Sequence, residues 1–420
     1  MAKGNRISNW AFDRFLCSAI KQGTLHIIHA DGQEHSYGQP APGFPDLRIR
    51  LADKDVARQI VMDPRLGAAE AYMDGRLVIE QGDVMALADL LRRNRPWERG
   101  GRMGAPSRTR KLRNRIAHKM DSFNVARSSR RNVAHHYDVG NDFYRLFLDQ
   151  RMQYSCAYWP REDMTLDQAQ EAKLAHIAAK LALNPGQKVL DIGCGWGGMA
   201  IYLAQHADVH VTGITLSQEQ LVLARERAEK AGVAGRTQFE LIDYRDLAKS
   251  GQTFDRIVSV GMFEHVGQPQ FGDYFRACAN LLAPDGVFLL HTIGRMGGPG
   301  ITDAFTRKYI FPGGYIPALS ETLAASETVR LIAADVEMLR LHYAHTLRAW
   351  YTNCLGHREK IEAMYDPAFY RMWLYYLAGA ATGFESGGLC NYQILYTRDR
   401  RALPITRDWI QDNERALTAR

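Results

Sequence analysis

Two rhythms of apolar and polar positions divide this chain. From about residue 133 onward, short apolar runs alternate with longer amphipathic stretches. The runs at 188–192, 209–215, 237–242, 254–260 and 287–293 predict buried strands, because a sheet covered on both faces asks for nearly continuous apolar residues. Between them, 198–205, 218–231 and 271–282 place apolar residues every three or four positions and predict helices. Strands alternating with helices imply an α/β class with a parallel, doubly wound, Rossmann-like sheet. Ligands of such sheets sit beyond the carboxyl ends of the strands. The positions to read for chemistry are therefore 193–197, 215–220, 243–244, 261–265 and 291–294.

The first 95 residues follow another rhythm. Residues 7–20 have helical spacing, 24–29 and 46–51 resemble short strands around a Pro/Gly loop at 39–45, and 84–91 closes the region as a helix. This predicts a smaller N-terminal α+β domain, expected to associate with lipid once the functional reading below is made. Residues 96–132 form a basic linker in which Arg99, Arg102, Arg108, Arg110, Lys111, Arg113, Arg115, Lys119, Arg127, Arg130 and Arg131 meet almost no acids. Within it, Leu112, Ile116 and Met120 stand four apart, a narrow apolar stripe on a basic helix. That design suits an anionic lipid surface; it reads equally as a solvated connector. Interleaved aromatics are lacking, so nucleic acid is not the expected partner. Residues 133–420 are assigned to one catalytic domain.

Composition narrows the class. The chain has 420 residues, is 46% hydrophobic, and carries a net charge of +7, which favours an anionic partner. Six scattered cysteines without a paired framework suit a reducing compartment. The first residues lack the apolar core of a signal peptide, and no apolar run approaches the roughly 20 residues that span a bilayer. A cytoplasmic protein with peripheral membrane contact is expected.

The most informative motif is VLDIGCGWGG at 189–198, an apolar strand that ends in a glycine-rich turn and hands over to a helix. Gly193, Gly195 and Gly197 allow close backbone approach to a nucleotide-like cofactor. A dinucleotide fingerprint would read GxGxxG with an acid about 20 residues on. Here Asp191 precedes the turn and the next strand ends in TGITLS without an acid, leaving Ser217 or Gln220 as neutral partners for ribose hydroxyls. Asp243 and Tyr244 follow a strand and suit an adenine edge, although Asp is also a common helix cap. Glu264 and His265 lie between glycines after another strand. They read as a general base, or as a cap and a surface residue; no zinc-ligand set accompanies them, and no metal is expected. His291 ends a further strand and would converge with Glu264 on one cleft. Cys156, within YSCAYW, would be a nucleophile if His291 served as its base.

Together these segments resemble the cyclopropane-fatty-acyl-phospholipid synthases, which use S-adenosylmethionine. HYDVGNDFY (136–144), MQYSCAYW (152–159), VLDIGCGWGG, DYRDL (243–247), VSVGMFEHVG (258–267), LLHTIG (289–294) and KYIFPGG (308–314) look like family segments in family order, and EAYMDG (70–75) is similar to the full-length lipid enzymes. The resemblance implies a methyltransferase sheet. It also implies that Tyr154, Ser155, Asp191, Gly193, Gly195, Gly197, Thr215, Gln220, Asp243 and Tyr244 hold S-adenosylmethionine, and that Cys156, Glu264, His291, Ile293 and Tyr343 hold bicarbonate. The implied reaction adds a methylene to a cis double bond of a phospholipid acyl chain at the inner face of the membrane. It passes through a carbocation that bicarbonate deprotonates and that faces such as Phe263 or Tyr309 stabilise. In this picture Cys156 is a ligand and not a nucleophile. Related outcomes are a methyl-branched or methylene product, a small-molecule N-methyltransferase, or a lipid-binding module without catalysis. A homodimer is a candidate assembly.

Overall fold

The computed structural model describes residues 2–101 and 140–418, with the backbone alone at 2–9 and 418. The basic stripe at 109–120 lies outside the described residues. The rest folds as two compact units, each assembled from separate stretches. One contains residues up to 101, 303–312 and 347–388; the other contains 140–302, 313–346 and 389–418.

The first unit is built on a mixed sheet of β1 (Gly23–Ile28), β2 (Glu34–Gln39), β3 (Asp46–Leu51) and β4 (Leu77–Gln81), in the order β2-β1-β3-β4. Alternate residues of β1 are buried, as period-two burial on a one-sided sheet demands. Leu25, Ile27, Leu47 and Ile49 meet Phe12 and Leu16 of helix Ala2–Ala19 in one core. Helices Lys54–Met62, Pro64–Met73 and Val84–Arg93 each start at an aspartate, Asp53, Asp63 and Asp83. Its carboxylate accepts from a first-turn N–H that has no partner inside the helix. The α+β character matches the sequence pattern, which nonetheless misses β2 and β4. β2 is mostly exposed and polar, so it lacks the apolar alternation that marks a strand.

The compact units differ from the linear division at 95 and 133. Residues 347–388 belong with the N-terminal stretch. Helix Pro367–Glu385 buries Tyr370, Trp373, Leu374, Leu377, Ala378 and Ala381 and packs on Val84–Arg93 and Pro64–Met73. Arg348 joins Asp89 at 2.9 Å and also pairs with Glu385. Helical periodicity reveals an apolar face, but not which core that face covers.

In the second unit, β5 (Lys188–Ile192), β6 (His210–Thr215), β7 (Thr237–Leu241), β8 (Phe254–Val260), β9 (Leu282–Arg295), β10 (Ile332–Leu339) and β11 (Leu389–Thr397) form a sheet ordered β10-β11-β9-β8-β5-β6-β7. β5 to β9 run parallel; β11 is antiparallel to β9 and to β10. All five expected strands are present, and Gly198–His206, Gln218–Lys230 and Phe271–Leu281 are the expected helices. Four of the five β5 residues are buried, the signature of a central parallel strand. β5 lies between β8 and β6, where the order of the strands reverses. The carboxyl end of such a strand is where a crevice opens. Among the described residues no helix is long and apolar enough to cross a membrane.

Leu377 is fully buried in the first unit. Leu377→Ala should cost about 2–5 kcal/mol, read in denaturant unfolding and as faster amide exchange in β1 and β3. Unchanged exchange there would contradict the placement of this helix.

Candidate active site

A cavity of about 160 Å³ opens at the carboxyl ends of β5, β6 and β8. Tyr154, Ser155, Asp191, Gly193, Gly195, Thr215, Gln220, Asp243 and Tyr244 all line it. The turn after β5 is pinned to β6, because the N–H groups of Gly193 and Cys194 both donate to Ile214 O at 3.0 Å. Gly193 has φ +79°, and a Cβ there would lie 2.8 Å from Met262 Cγ. Gly195 has φ +53°, and a Cβ there would meet nothing within 4 Å, so its backbone faces open space. Gly197 does not line the cavity. It is the left-handed N-cap of helix Gly198–His206, with Ala224 and Phe239 3.0 Å from where a Cβ would stand.

The polar walls are ordered by their own contacts. Thr215 Oγ1 donates to Gln220 Oε1 at 2.8 Å and accepts from Ser217 N–H, while Ser217 caps helix Gln218–Lys230. Asp243 accepts from Arg245 N at 2.9 Å and forms a bidentate pair with the Arg245 guanidinium, so it is a cap as well as a cavity wall. Met152, Gln153, Trp196, Met262 and His265 also line the space. Sequence reasoning singled out only His265: Trp196 and Met262 stand in strand-end turns but carry no ionisable group, and Met152 and Gln153 lie before the first strand of the sheet. Burial pushes His265 down to about 4, so its ring is neutral at pH 7.

Two buried ionisable groups belong to this wall, Asp191 in its lining and Lys173 behind Gln153 and Ser155. Asp191 Oδ2 has no hydrogen-bond partner, and burial raises its carboxyl to about 7, against the pull of Lys173. The Lys173 Nζ donates to Gln153 Oε1 at 2.6 Å and Ser155 Oγ at 2.9 Å, and burial lowers it to about 8. Open space beside Gly195 and an unpartnered buried carboxylate oxygen fit an adenosyl cofactor that carries positive charge.

The remaining candidates, Cys156, Glu264, His291, Ile293 and Tyr343, lie outside the cavity lining, and all but the half-buried Ile293 are buried. Glu264 sits on the short turn Phe263–His265 after β8. Its Oε1 accepts from Ile293 N–H at 2.6 Å; its Oε2 is buried without a partner, the Thr292 hydroxyl turning instead to Ile293 O. Burial outweighs these contacts and raises the Glu264 carboxyl to about 7. His291, two residues before Ile293 on β9, has its ring nitrogens 3.2 Å from Gln393 Nε2 and 3.4 Å from Asn391 Nδ2. Burial, reinforced by Lys173, Lys180 and His176, lowers it to about 3. The Cys156 thiol donates to Ala157 O at 3.3 Å, and burial pushes its pKa up. A thiol held protonated is no nucleophile, which removes the cysteine-enzyme alternative. Tyr343 is buried on helix His342–Gly356, whose Thr346 accepts from Ala157 N–H at 3.1 Å. The fold thus joins Glu264 to Ile293 directly and the Cys156 segment to the Tyr343 helix. Ser155 and His265, chain neighbours of Cys156 and Glu264, both reach the cavity wall.

The expected aromatic faces are elsewhere. Phe263 is fully buried against Phe271 at 4.3 Å and Tyr274 at 4.9 Å. Tyr309 belongs to the other unit, where its hydroxyl donates to Glu70. Tyr154, Trp196 and Tyr244 are the rings that line the cavity. Among the described residues, one group of possible metal ligands occurs, Asp13, His29 and His35 in the first unit. There Asp13 accepts from the Tyr37 hydroxyl at 2.5 Å and faces His35 Nδ1 at 3.6 Å.

The family model described as mycolic acid cyclopropane synthetase matches residues 125–394. The chain is 38% identical over 367 residues to the cyclopropane-fatty-acyl-phospholipid synthase of Escherichia coli (strain K12), covering 85% of this chain and 89% of that protein. It is 43% identical over 286 residues to a probable fatty acid methyltransferase of Pseudomonas putida, covering 66% and 72%. Among solved structures, it matches the mycolic acid cyclopropane synthase CmaA1 complexed with SAH and CTAB. The TM-score is 0.60 at 33% identity, over 64% of this chain and 97% of that one.

The Glu264 carboxyl carries a pH signature. Its folded pKa, about 7, lies above the ordinary 4.5. Its contribution is therefore fully present below about pH 4.5 and is lost as pH rises towards 7. Glu264→Gln should gain stability relative to the parent between pH 5 and 8, by up to about 3 kcal/mol at the alkaline end. A pH-independent difference in unfolding free energy would refute the buried, protonatable carboxyl.

Proposed function

The chain belongs to the mycolic acid cyclopropane synthetase family, and on that premise we propose that it adds a methylene from S-adenosylmethionine across a cis double bond of an unsaturated phospholipid acyl chain, closing a cyclopropane ring. At the coarser level it is an S-adenosylmethionine-dependent enzyme of the methyltransferase class that modifies lipid acyl chains. The phospholipid substrate is supported by the name of the E. coli relative, which matches 85% of this chain and so reaches beyond the catalytic stretch. The observation that carries the reading is the pairing of a glycine-turn cavity with a buried, unpartnered Glu264 oxygen one residue from its wall.

S-adenosylmethionine, when bound, supplies an electrophilic methyl group on a sulfonium. Gly193 and Gly195 give the backbone approach; Thr215 and Gln220 take ribose hydroxyls; Asp243 and Tyr244 take the adenine; Asp191 offers its free oxygen to positive charge. Tyr154 and Ser155 add to the cavity wall beside Gly261, and Gly197 caps the helix that follows the glycine turn. Cys156, Glu264, His291, Ile293 and Tyr343 would hold a bicarbonate ion, whose chemistry there is that of a small base. Burial raises the Glu264 carboxyl to about 7, and its protonated form donates to an anion instead of repelling it. Close packing around Glu264, His291 and Cys156 keeps bulk water from a carbocation, which water would trap as an alcohol. The basic residues 109–120 dock the enzyme on the anionic inner face of the membrane. A second reading, a methyl-branched product from the same pocket, is favoured by the similarity to the Pseudomonas putida fatty acid methyltransferase.

Mass spectrometry of lipids from cells expressing the chain should reveal one added CH₂ per monounsaturated chain, with ring fragmentation. Branch fragmentation would select the second reading. Glu264→Gln should lose this product while binding S-adenosylmethionine with unchanged affinity by calorimetry, and depleting bicarbonate should slow the parent enzyme. Full turnover without bicarbonate would point to a protein base. Replacing Lys and Arg within 109–120 by Gln should weaken binding to anionic vesicles and flatten its salt dependence. Salt-insensitive binding by the parent would count against electrostatic docking.

A further inference from the structure

His291 opens a chain of buried polar contacts. His291 on β9 is flanked on β11 by Gln393 and Asn391, which stand opposite His291 and Ile293 in the antiparallel register. Gln393 Oε1 accepts from Lys180 Nζ at 2.8 Å, and Gln393 Nε2 lies 3.2 Å from His291 Nδ1. Lys180 also pairs with Glu337, which accepts from His176 Nε2 at 2.7 Å. Lys180, His291, Asn391 and Gln393 are all at most 1% exposed, so no water rearranges these contacts cheaply.

The order of atoms along this chain is forced from its charged end. Glu337 keeps Lys180 as an ammonium, and an ammonium can only donate. The Gln393 atom facing Lys180 must therefore be the oxygen, which leaves the amide NH₂ facing His291. A donor opposite Nδ1 requires a lone pair on Nδ1, so the ring proton must sit on Nε2. The doubly protonated ring is excluded, because it would set N–H against N–H. Burial and the nearby cations also push His291 down to about 3. The assignment requires Asn391 to be turned: as placed, its Nδ2 faces Nε2 at 3.4 Å while its Oδ1 is buried without a partner, and exchanging the two lets that oxygen accept from Nε2–H.

We infer that Gln393, oriented by Lys180, is a positioning residue that holds His291 as the neutral Nε2–H tautomer, so that His291 donates a hydrogen bond in the active site and cannot take up the proton released on ring closure. The inference rests on the reading of His291 as part of the anion-holding group and adds what sets its role. Nδ1 is committed to Gln393, and Nε2 carries the proton, which Asn391 Oδ1 would share with an incoming acceptor such as a carbonate oxygen; the base must be another group. A wrong tautomer held in otherwise intact geometry is costly, because it turns a donor into an acceptor at the reacting centre.

The test is histidine-selective ¹⁵N NMR of the full chain, with the His291 signal identified by its loss in His291→Gln. The parent should give a pyrrole-type, proton-bearing Nε2 and a pyridine-type Nδ1 throughout neutral pH. Gln393→Glu replaces the donor by a carboxylate that only accepts, so the proton should move to Nδ1. Turnover should fall roughly 10- to 100-fold, with affinity for S-adenosylmethionine unchanged. Gln393→Leu, which removes the amide altogether, should populate both tautomers and serves if the glutamate variant folds poorly. A protonated Nδ1 or an imidazolium in the parent overturns the inference, as does full turnover in Gln393→Glu with the tautomer reversed. A parent with the Nε2–H tautomer but indifferent to bicarbonate upholds the positioning role while refuting bicarbonate as the ligand.

Discussion

The second unit depends on one constraint: charged and polar side chains of helix Leu166–Lys180 are buried and must find partners. Gln170, Lys173, His176 and Lys180 recur every three or four residues along one face and are all buried. Each reaches a different part of the unit. Gln170 donates to Gln153 O and Ser155 O, Lys173 to Gln153 and Ser155 side chains, His176 to Glu337 and Glu414, and Lys180 to Glu337 and Gln393. Removing one partner of such a buried pair costs about 3–5 kcal/mol, because a charge is left uncompensated. The face thus fixes the cavity wall at 153–155 and the antiparallel strands β10 and β11 to the same helix. Leu174, Ala175, Ile177 and Ala178 bury the other side of that helix in the main core.

This stripe explains what was legible in the sequence and what was not. Strands β5 to β9 announce themselves because a parallel sheet covered by helices needs apolar runs, and those runs end where ligands bind. That logic pointed to Gly193, Gly195, Thr215, Gln220, Asp243 and Tyr244, which do line the cavity; Asp191, inside β5, came only with the family resemblance. It could not find Lys173 or Lys180, since a polar face at helical spacing ordinarily lies in water. It could not find Gln393 either, because β11 is separated from β9 by the helices of residues 319–385 and its polar residues interrupt the apolar pattern. Phe263 failed for the complementary reason. A ring beside a catalytic residue in sequence looks available, but its side chain points into the core while Glu264 and His265 take the functional side.

The same burial decides which protein groups are fit to accept a proton. A base works best with a pKa near the working pH. His265 at about 4 and His291 at about 3 are too weak, and the Cys156 thiol stays protonated. Glu264, at about 7, alone among these groups has the right basicity. Its geometry points another way: Oε1 is tied to Ile293 N–H, and only Oε2 is free, fixed to a short turn after β8. A proton leaving a new methyl group on a flexible acyl chain needs a base that can meet it. A carboxyl anchored at one oxygen serves better as the hydrogen-bond partner of a small mobile anion than as the acceptor itself.

Cofactor charge sharpens this division of labour. A sulfonium in the cavity draws nearby carboxyls towards ionisation and favours a second anion close by. On the proposed reading, Asp191, part of the cavity wall, would ionise against the positive charge, while Glu264, outside the lining, would feel it less. One carboxyl would then be an anion beside the methyl donor, and the other neutral and able to hold an anion. Burial raises both acids to about 7, Asp191 against the pull of Lys173 and Glu264 against the Ile293 N–H, and a cofactor charge beside only one of them would separate the two.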